Sequence, residues 1–115
     1  MSKYMRRRYI AVKIKLERKQ TRNNDLNSGV IWRTVWQSLL QLYGEYGASK
    51  TDLSLIEYNP EDMHAIFRCT HKGLDIVRNA ISAVTQVRGL KAAFHVLYVS
   101  GTLKSLRKKL MKNSL

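Results

Sequence analysis

Apolar and polar positions along the chain change period several times, and each change marks an element. Ile10, Val12, Ile14 and Leu16 alternate with Ala11, Lys13 and Lys15, the period-two pattern of a half-buried strand. The polar stretch TRNNDLNSG follows, where Asn27 or Ser28 is placed to cap a helix. That helix is expected from about Gly29 to about Tyr46. Its apolar residues Ile31, Trp32, Val35, Trp36, Leu39, Leu40, Leu42, Tyr43 and Tyr46 cover more than the usual stripe, more than one sheet face is expected to bury. TDLSLIEY (51–58) and MHAIFRCT (63–70) read as two strands joined at the turn sequence NPED. Leu74, Val77, Ala80, Ile81 and Val84 recur at helical spacing, with Thr70 as a candidate cap, and Leu90–Val99 is apolar and β-rich. The final segment places Leu103, Leu106 and Leu110 on one stripe of a helix over 102–113.

The order β-α-β-β-α-β with a terminal helix predicts an α+β fold. It is the split βαβ sandwich of ferredoxin-like and RNA-recognition-motif domains, with a four-stranded antiparallel sheet and helices on one face. A chain of 115 residues suits one domain over 1–115. A basic arm is expected at 1–8, and a basic helix at 102–113.

Charge sharpens this picture because it is concentrated at the ends. The net charge is +13, yet residues 23–99 hold equal numbers of basic and acidic residues. Residues 1–22 carry Lys3, Arg6, Arg7, Arg8, Lys13, Lys15, Arg18, Lys19 and Arg22 against Glu17 alone. Residues 100–115 carry Lys104, Arg107, Lys108, Lys109 and Lys112 with no acid. A neutral core with basic ends implies an acidic polymer as partner.

Candidate chemistry adds little to this. The histidines His64, His71 and His95 show no metal-ligand spacing, and the glycines form no phosphate loop. Glu57, Glu61 and Asp62 are the densest acids, and the turn after Pro60 accounts for two of them better than a Mg²⁺ site does. Cys69, beside Phe67 and Ile66, reads as a buried thiol in a reducing compartment. Lysines 13 and 15 interrupt any signal-peptide core, and no apolar run reaches the roughly 18 residues of a membrane span. A cytoplasmic protein without a membrane partner is expected.

Binding features are stronger. With Ile10, Val12, Ile14 and Leu16 facing the helices, Lys13 and Lys15 project from the other face. By the same parity Ala65, Phe67 and Cys69 point inward, and His64, Ile66 and Arg68 outward. The open face is therefore expected to be basic and not aromatic. It lacks the aromatic third-strand pattern that stacks single-stranded bases, and favours phosphate and shape recognition of structured RNA. Lys13 and Lys15 also suit solvated strand positions that discourage edge pairing. The run Arg6–Arg7–Arg8 suits bidentate phosphate contacts.

The stretches RRRYIAVKI, LYGEYGAS, AIFRCTHKGLDIVRNAISAV and VSGTLKSLRKKL, in that order, resemble the archaeal and eukaryotic ribonuclease P protein family, at its archaeal component 2. The resemblance spans roughly residues 6–110. Its most specific parts are Phe67, Arg68 and Cys69 followed by Val77 and Arg78, and the element Ser100, Gly101, Thr102, Leu103, Lys104. It implies a non-catalytic subunit of a ribonucleoprotein endonuclease that removes the 5′ leader of precursor tRNA. No cofactor is expected on this chain, and Mg²⁺ is expected on the catalytic RNA subunit. Implied partners are the ribonuclease P RNA, protein component 3, a second copy of the chain within a heterotetramer, and precursor tRNA through the holoenzyme. Arg6, Arg7, Arg8, Lys13, Lys15, Arg68, Lys104, Arg107, Lys108, Lys109 and Lys112 are the candidate RNA-binding residues. Trp32, Trp36, Leu39 and Tyr43 are the candidate protein interface, unless the terminal helix folds over that surface. A ribosomal or other structured-RNA module, or a metabolite-binding ferredoxin-like domain, are the alternatives.

Overall fold

The structure, a computed structural model, describes residues 6–17 and 26–112. Most of the expected arm lies outside the described residues. The elements are β1 (Arg7–Leu16), α1 (Ser28–Ser49), β2 (Ser54–Asn59), β3 (His64–Thr70), α2 (Leu74–Ser82), β4 (Gln86–Val87), β5 (Leu90–Ser100) and α3 (Leu103–Lys112). The sheet is antiparallel throughout, in the order β2-β3-β1-β5-β4.

Local chemistry explains the boundaries. Asn27 caps α1, its Oδ1 accepting from the Val30 N–H at 3.0 Å. Near its end α1 breaks at Gly44, whose φ of 72° is left-handed and favours glycine. Thr70 joins three elements: its Oγ1 donates to the Lys50 carbonyl after α1 and accepts from the Gly73 N–H before α2. Thr70 is not the expected helix cap: Gly73 is the N-cap residue of α2 and no side chain caps the helix, while Thr70 braces the loop ahead of it.

One layer of the core is the expected one. Ile10, Val12 and Ile14 of β1 and Ala65, Phe67 and Cys69 of β3 are buried against Val30, Ile31, Val35 and Leu39 of α1 and Val77, Ala80 and Ile81 of α2. Hydrophobic burial on this face is the main stabilising term of the domain.

Two features differ from expectation. First, the sheet has five strands. The residues Arg88 and Gly89 both adopt positive φ, 50° and 80°, which is the backbone signature of a two-residue primed hairpin turn. That turn folds Gln86 and Val87 back onto Lys91 and Leu90. A two-residue strand leaves no readable alternation, so only the Arg-Gly turn signals it in sequence.

Second, the helices do not share one face. The stripe Leu103, Leu106 and Leu110 of α3 packs on the opposite side of the sheet, over Ala11 and Ile66 and beside Tyr9, Ile56 and Tyr98. The outward face is therefore apolar and partly aromatic beneath α3, and basic only at its margins. The terminal helix does not fold over α1, because the leucine stripe finds its apolar floor on the sheet.

Candidate nucleic-acid interface

The cations gather around α3 and the margins of the face that it covers. α3 leaves the sheet at the Ser100 end, where Thr102 caps it by accepting from the Ser105 N–H at 3.1 Å. It runs towards the β2–β3 hairpin, where Leu110 and Met111 meet Lys13, His64 and Ile66 across an open cleft of about 530 Å³ that Glu57, Glu61 and Asp62 also line, so the cleft itself is not cationic. With its leucines on the sheet, Lys104, Lys108 and Lys112 form an exposed row at four-residue spacing on the solvent side.

The other two cations of α3 are engaged with the domain. Arg107 Nη2 donates to Glu57 Oε1 at 2.9 Å, which ties α3 to β2. Lys109 Nζ donates to the Val99 carbonyl at 3.3 Å on β5.

Arg7 and Arg8 are the first residues of β1, not part of a free arm. Their strand neighbours are Thr70 and Cys69, because the β3 ladder extends to its last residue. Arg7 forms an ion pair with Asp52, and Arg8 Nη1 donates to the Arg7 carbonyl at 3.0 Å. Arg6 is exposed, and its carbonyl accepts from the His71 N–H at 2.8 Å. At the far end of β1, Lys15 is exposed and Lys13 donates through Nζ to the Asp62 carbonyl at 2.8 Å. Arg68 stands beside Tyr9 and Ser54, with a buried Nε that has no hydrogen-bond partner among the described residues.

The titratable groups nearby explain what this surface does not do. Burial pushes the Cys69 thiol up to about 11 despite the opposing fields of Arg7 and Arg8, so it stays protonated at neutral pH and is no nucleophile. His64 is held below its ordinary value by burial and by Lys13, with Asp62 opposing, so it is neutral at pH 7. Asn59 organises the hairpin turn: its Oδ1 accepts from the Glu61 and Asp62 backbone N–H groups, and its Nδ2 donates to the Asp62 carboxylate. Glu57 holds Arg107.

The four candidates for a protein interface separate. Leu39 is fully buried between α1 and the core, so it cannot reach a partner. Trp32 and Trp36 are half-buried and stacked on each other at 5.3 Å, with Trp32 Nε1 donating to the Leu53 carbonyl at 3.1 Å. Only Tyr43 remains at the surface, its hydroxyl accepting from Asn79 Nδ2, and it adjoins Leu42 and Tyr46, which are 50% and 76% exposed. Leu42 and Tyr43 precede the break at Gly44 and Tyr46 follows it, so this end of α1 carries apolar surface that the sheet does not bury, as the width of its apolar pattern predicts.

The chain is similar to several known proteins. A chain in the cryo-EM structure of yeast ribonuclease MRP has the same fold, with a TM-score of 0.69 over 97% of this chain and 93% of that one at 17% identity. "Ribonuclease P protein component 2" of Pyrococcus furiosus is 32% identical over 92% of this chain and 83% of its own length. The protein of the same name from Methanococcus aeolicus is 31% identical over 93% and 73%. The model of the Rpp14/Pop5 family matches residues 8–111, so the surface just described sits almost wholly inside the matched region, and the chain belongs to the Rpp14/Pop5 family.

Proposed function

We propose that this chain is a protein subunit of ribonuclease P that supports the catalytic RNA in removing the 5′ leader of precursor tRNA. Family membership across residues 8–111, with relatives named as ribonuclease P component 2, is the observation that carries this reading. The subunit binds and shapes RNA, while Mg²⁺ held by the RNA supplies the chemistry of cleavage. Lys104, Lys108 and Lys112 contact phosphates along the outer row of α3, and Arg6, Lys15 and Arg68 extend the contact across the margins of the sheet. Protein component 3 takes the exposed end of α1 at Leu42, Tyr43 and Tyr46, and a second copy of the chain completes a heterotetramer. The site of action is the cytoplasm; no helix among the described residues is long and apolar enough to cross a membrane.

Reconstitution tests this. The chain alone leaves precursor tRNA intact, and adding it with component 3 to the RNA subunit raises the cleavage rate at low Mg²⁺. Cleavage by the purified chain without RNA, lost on replacing its acids, would refute the assignment. Recovery of ribosomal RNA instead of ribonuclease P RNA in a pull-down would favour a ribosomal module.

The solvent row of α3 has its own readout. Replacing Lys104, Lys108 and Lys112 together with Ala is expected to flatten the dependence of log K on log salt by about 2 for ribonuclease P RNA. The melting temperature should hold, since none of the three is buried. An unchanged slope would place the phosphates elsewhere.

A further inference from the structure

A second groove lies on the helical side of the domain, away from α3. It occupies about 320 Å³ between Thr34, Gln37, Ser38 and Gln41 of α1 and the hairpin residues Gln86 and Arg88. None of its lining residues is acidic and none is aromatic. Ser38 Oγ donates to the Ala80 carbonyl at 2.7 Å and Thr34 Oγ1 to the Val30 carbonyl at 2.8 Å. Those hydroxyls have committed their protons, so they offer the groove acceptors only. The three glutamines offer both donors and acceptors.

Arg88 is the unexpected member. It holds a φ of 50° at the first central position of the β4–β5 turn, where Gly is favoured because it has no Cβ, and Asn or Asp because a short polar side chain can hydrogen-bond locally. Turn chemistry gives no reason for an arginine. Its side chain is exposed, and Lys91, opposite Gln86 in the ladder, puts a second cation on the same hairpin. The turn thus places a guanidinium among the residues lining a polar, acid-free groove.

We propose that this groove receives the sugar–phosphate edge of a double-stranded RNA segment, with Arg88 on a phosphate and Gln37, Gln41 and Gln86 on 2′-hydroxyl groups. This rests on the reading of the chain as an RNA-binding subunit and adds a second contact surface to it. The absence of aromatic lining disfavours stacked single-stranded bases, whereas the wide minor groove of A-form RNA presents 2′-hydroxyls that both donate and accept. Amide side chains match that pattern and distinguish RNA from DNA.

The test uses the full chain with an RNA duplex of about 16 base pairs and a DNA duplex of the same sequence. Arg88→Asn relieves the turn, so its melting temperature should rise by about 4 °C, while RNA affinity falls roughly threefold or more and the salt slope drops by about 1. Arg88→Lys should restore most of the slope. Gln37→Ala with Gln41→Ala should shrink the preference for RNA over DNA and keep the slope. A stabilised Arg88→Asn with full RNA affinity, alongside an α3 lysine variant that binds weakly, overturns the groove site and leaves the subunit assignment standing. Salt-independent binding by the wild type overturns both. Loss of component 3 from Arg88→Asn with RNA binding intact assigns the groove to a protein and overturns the proposal.

Discussion

Val12→Asp is expected to leave no cooperative thermal transition. Val12 is fully buried in the central strand, flanked by Ala65 of β3 and Val96 of β5, and it faces the layer of α1 and α2 side chains. A carboxylate there has no cation to meet, and its desolvation costs several kcal/mol or forces it to bind a proton. A domain of this size has only about 5–15 kcal/mol of stability to lose. Lys13→Asp, one residue along and on the other face, is the control and should keep its transition. Circular dichroism melting decides the matter: a Val12→Asp protein melting within a few degrees of wild type would contradict the assignment of strand faces.

Leu106→Ala is the second large effect, and it differs in kind. Leu106 is fully buried on the outward face against Ala11 and Ile66, in a small cluster separate from the main core. Truncating a buried leucine costs about 2–5 kcal/mol, partly through the cavity that remains, which converts to roughly 10–30 °C in melting temperature for about 100 residues. The cluster contains few residues, so the loss should fall first on α3. Amide exchange in α3 is expected to accelerate well beyond that in β1 and β3. RNA binding should weaken as well, because the lysine row is aligned only while the leucines are docked. Equal acceleration throughout the sheet would mean that α3 unfolds only with the whole domain.

What could be read from the chain depended on how many residues each signal spanned. Ile10, Val12 and Ile14 gave the inward face of β1, and Phe67 and Cys69 gave that of β3, because alternation is enforced wherever one side is buried. The leucine stripe of α3 was equally visible, but a stripe does not say what it packs on. Both α1 and the sheet offered apolar surface, and the choice rests on Ala11, whose small side chain lets Leu106 seat fully over the central strand. Leu39 was misplaced because periodicity reports a helix's apolar width without showing which part is covered. The large apolar residues of α1 left exposed are Leu42, Tyr43 and Tyr46, on either side of the Gly44 break. Arg7 and Arg8 looked like an arm because charge alone does not reveal how far a neighbouring strand extends.

The position of β1 sets the order in which the molecule can be finished. β1 precedes β3 and β5 in the chain, yet it lies between them, and its register pairs Tyr9 with Ser100, about ninety residues later. During synthesis the strand has β3 available on one side long before β5 emerges for the other. An incomplete chain thus exposes an unpaired edge of β1 whose outward side chains include Lys13 and Lys15. In such a chain the two lysines place charge on the exposed strand, which disfavours pairing with a neighbouring copy.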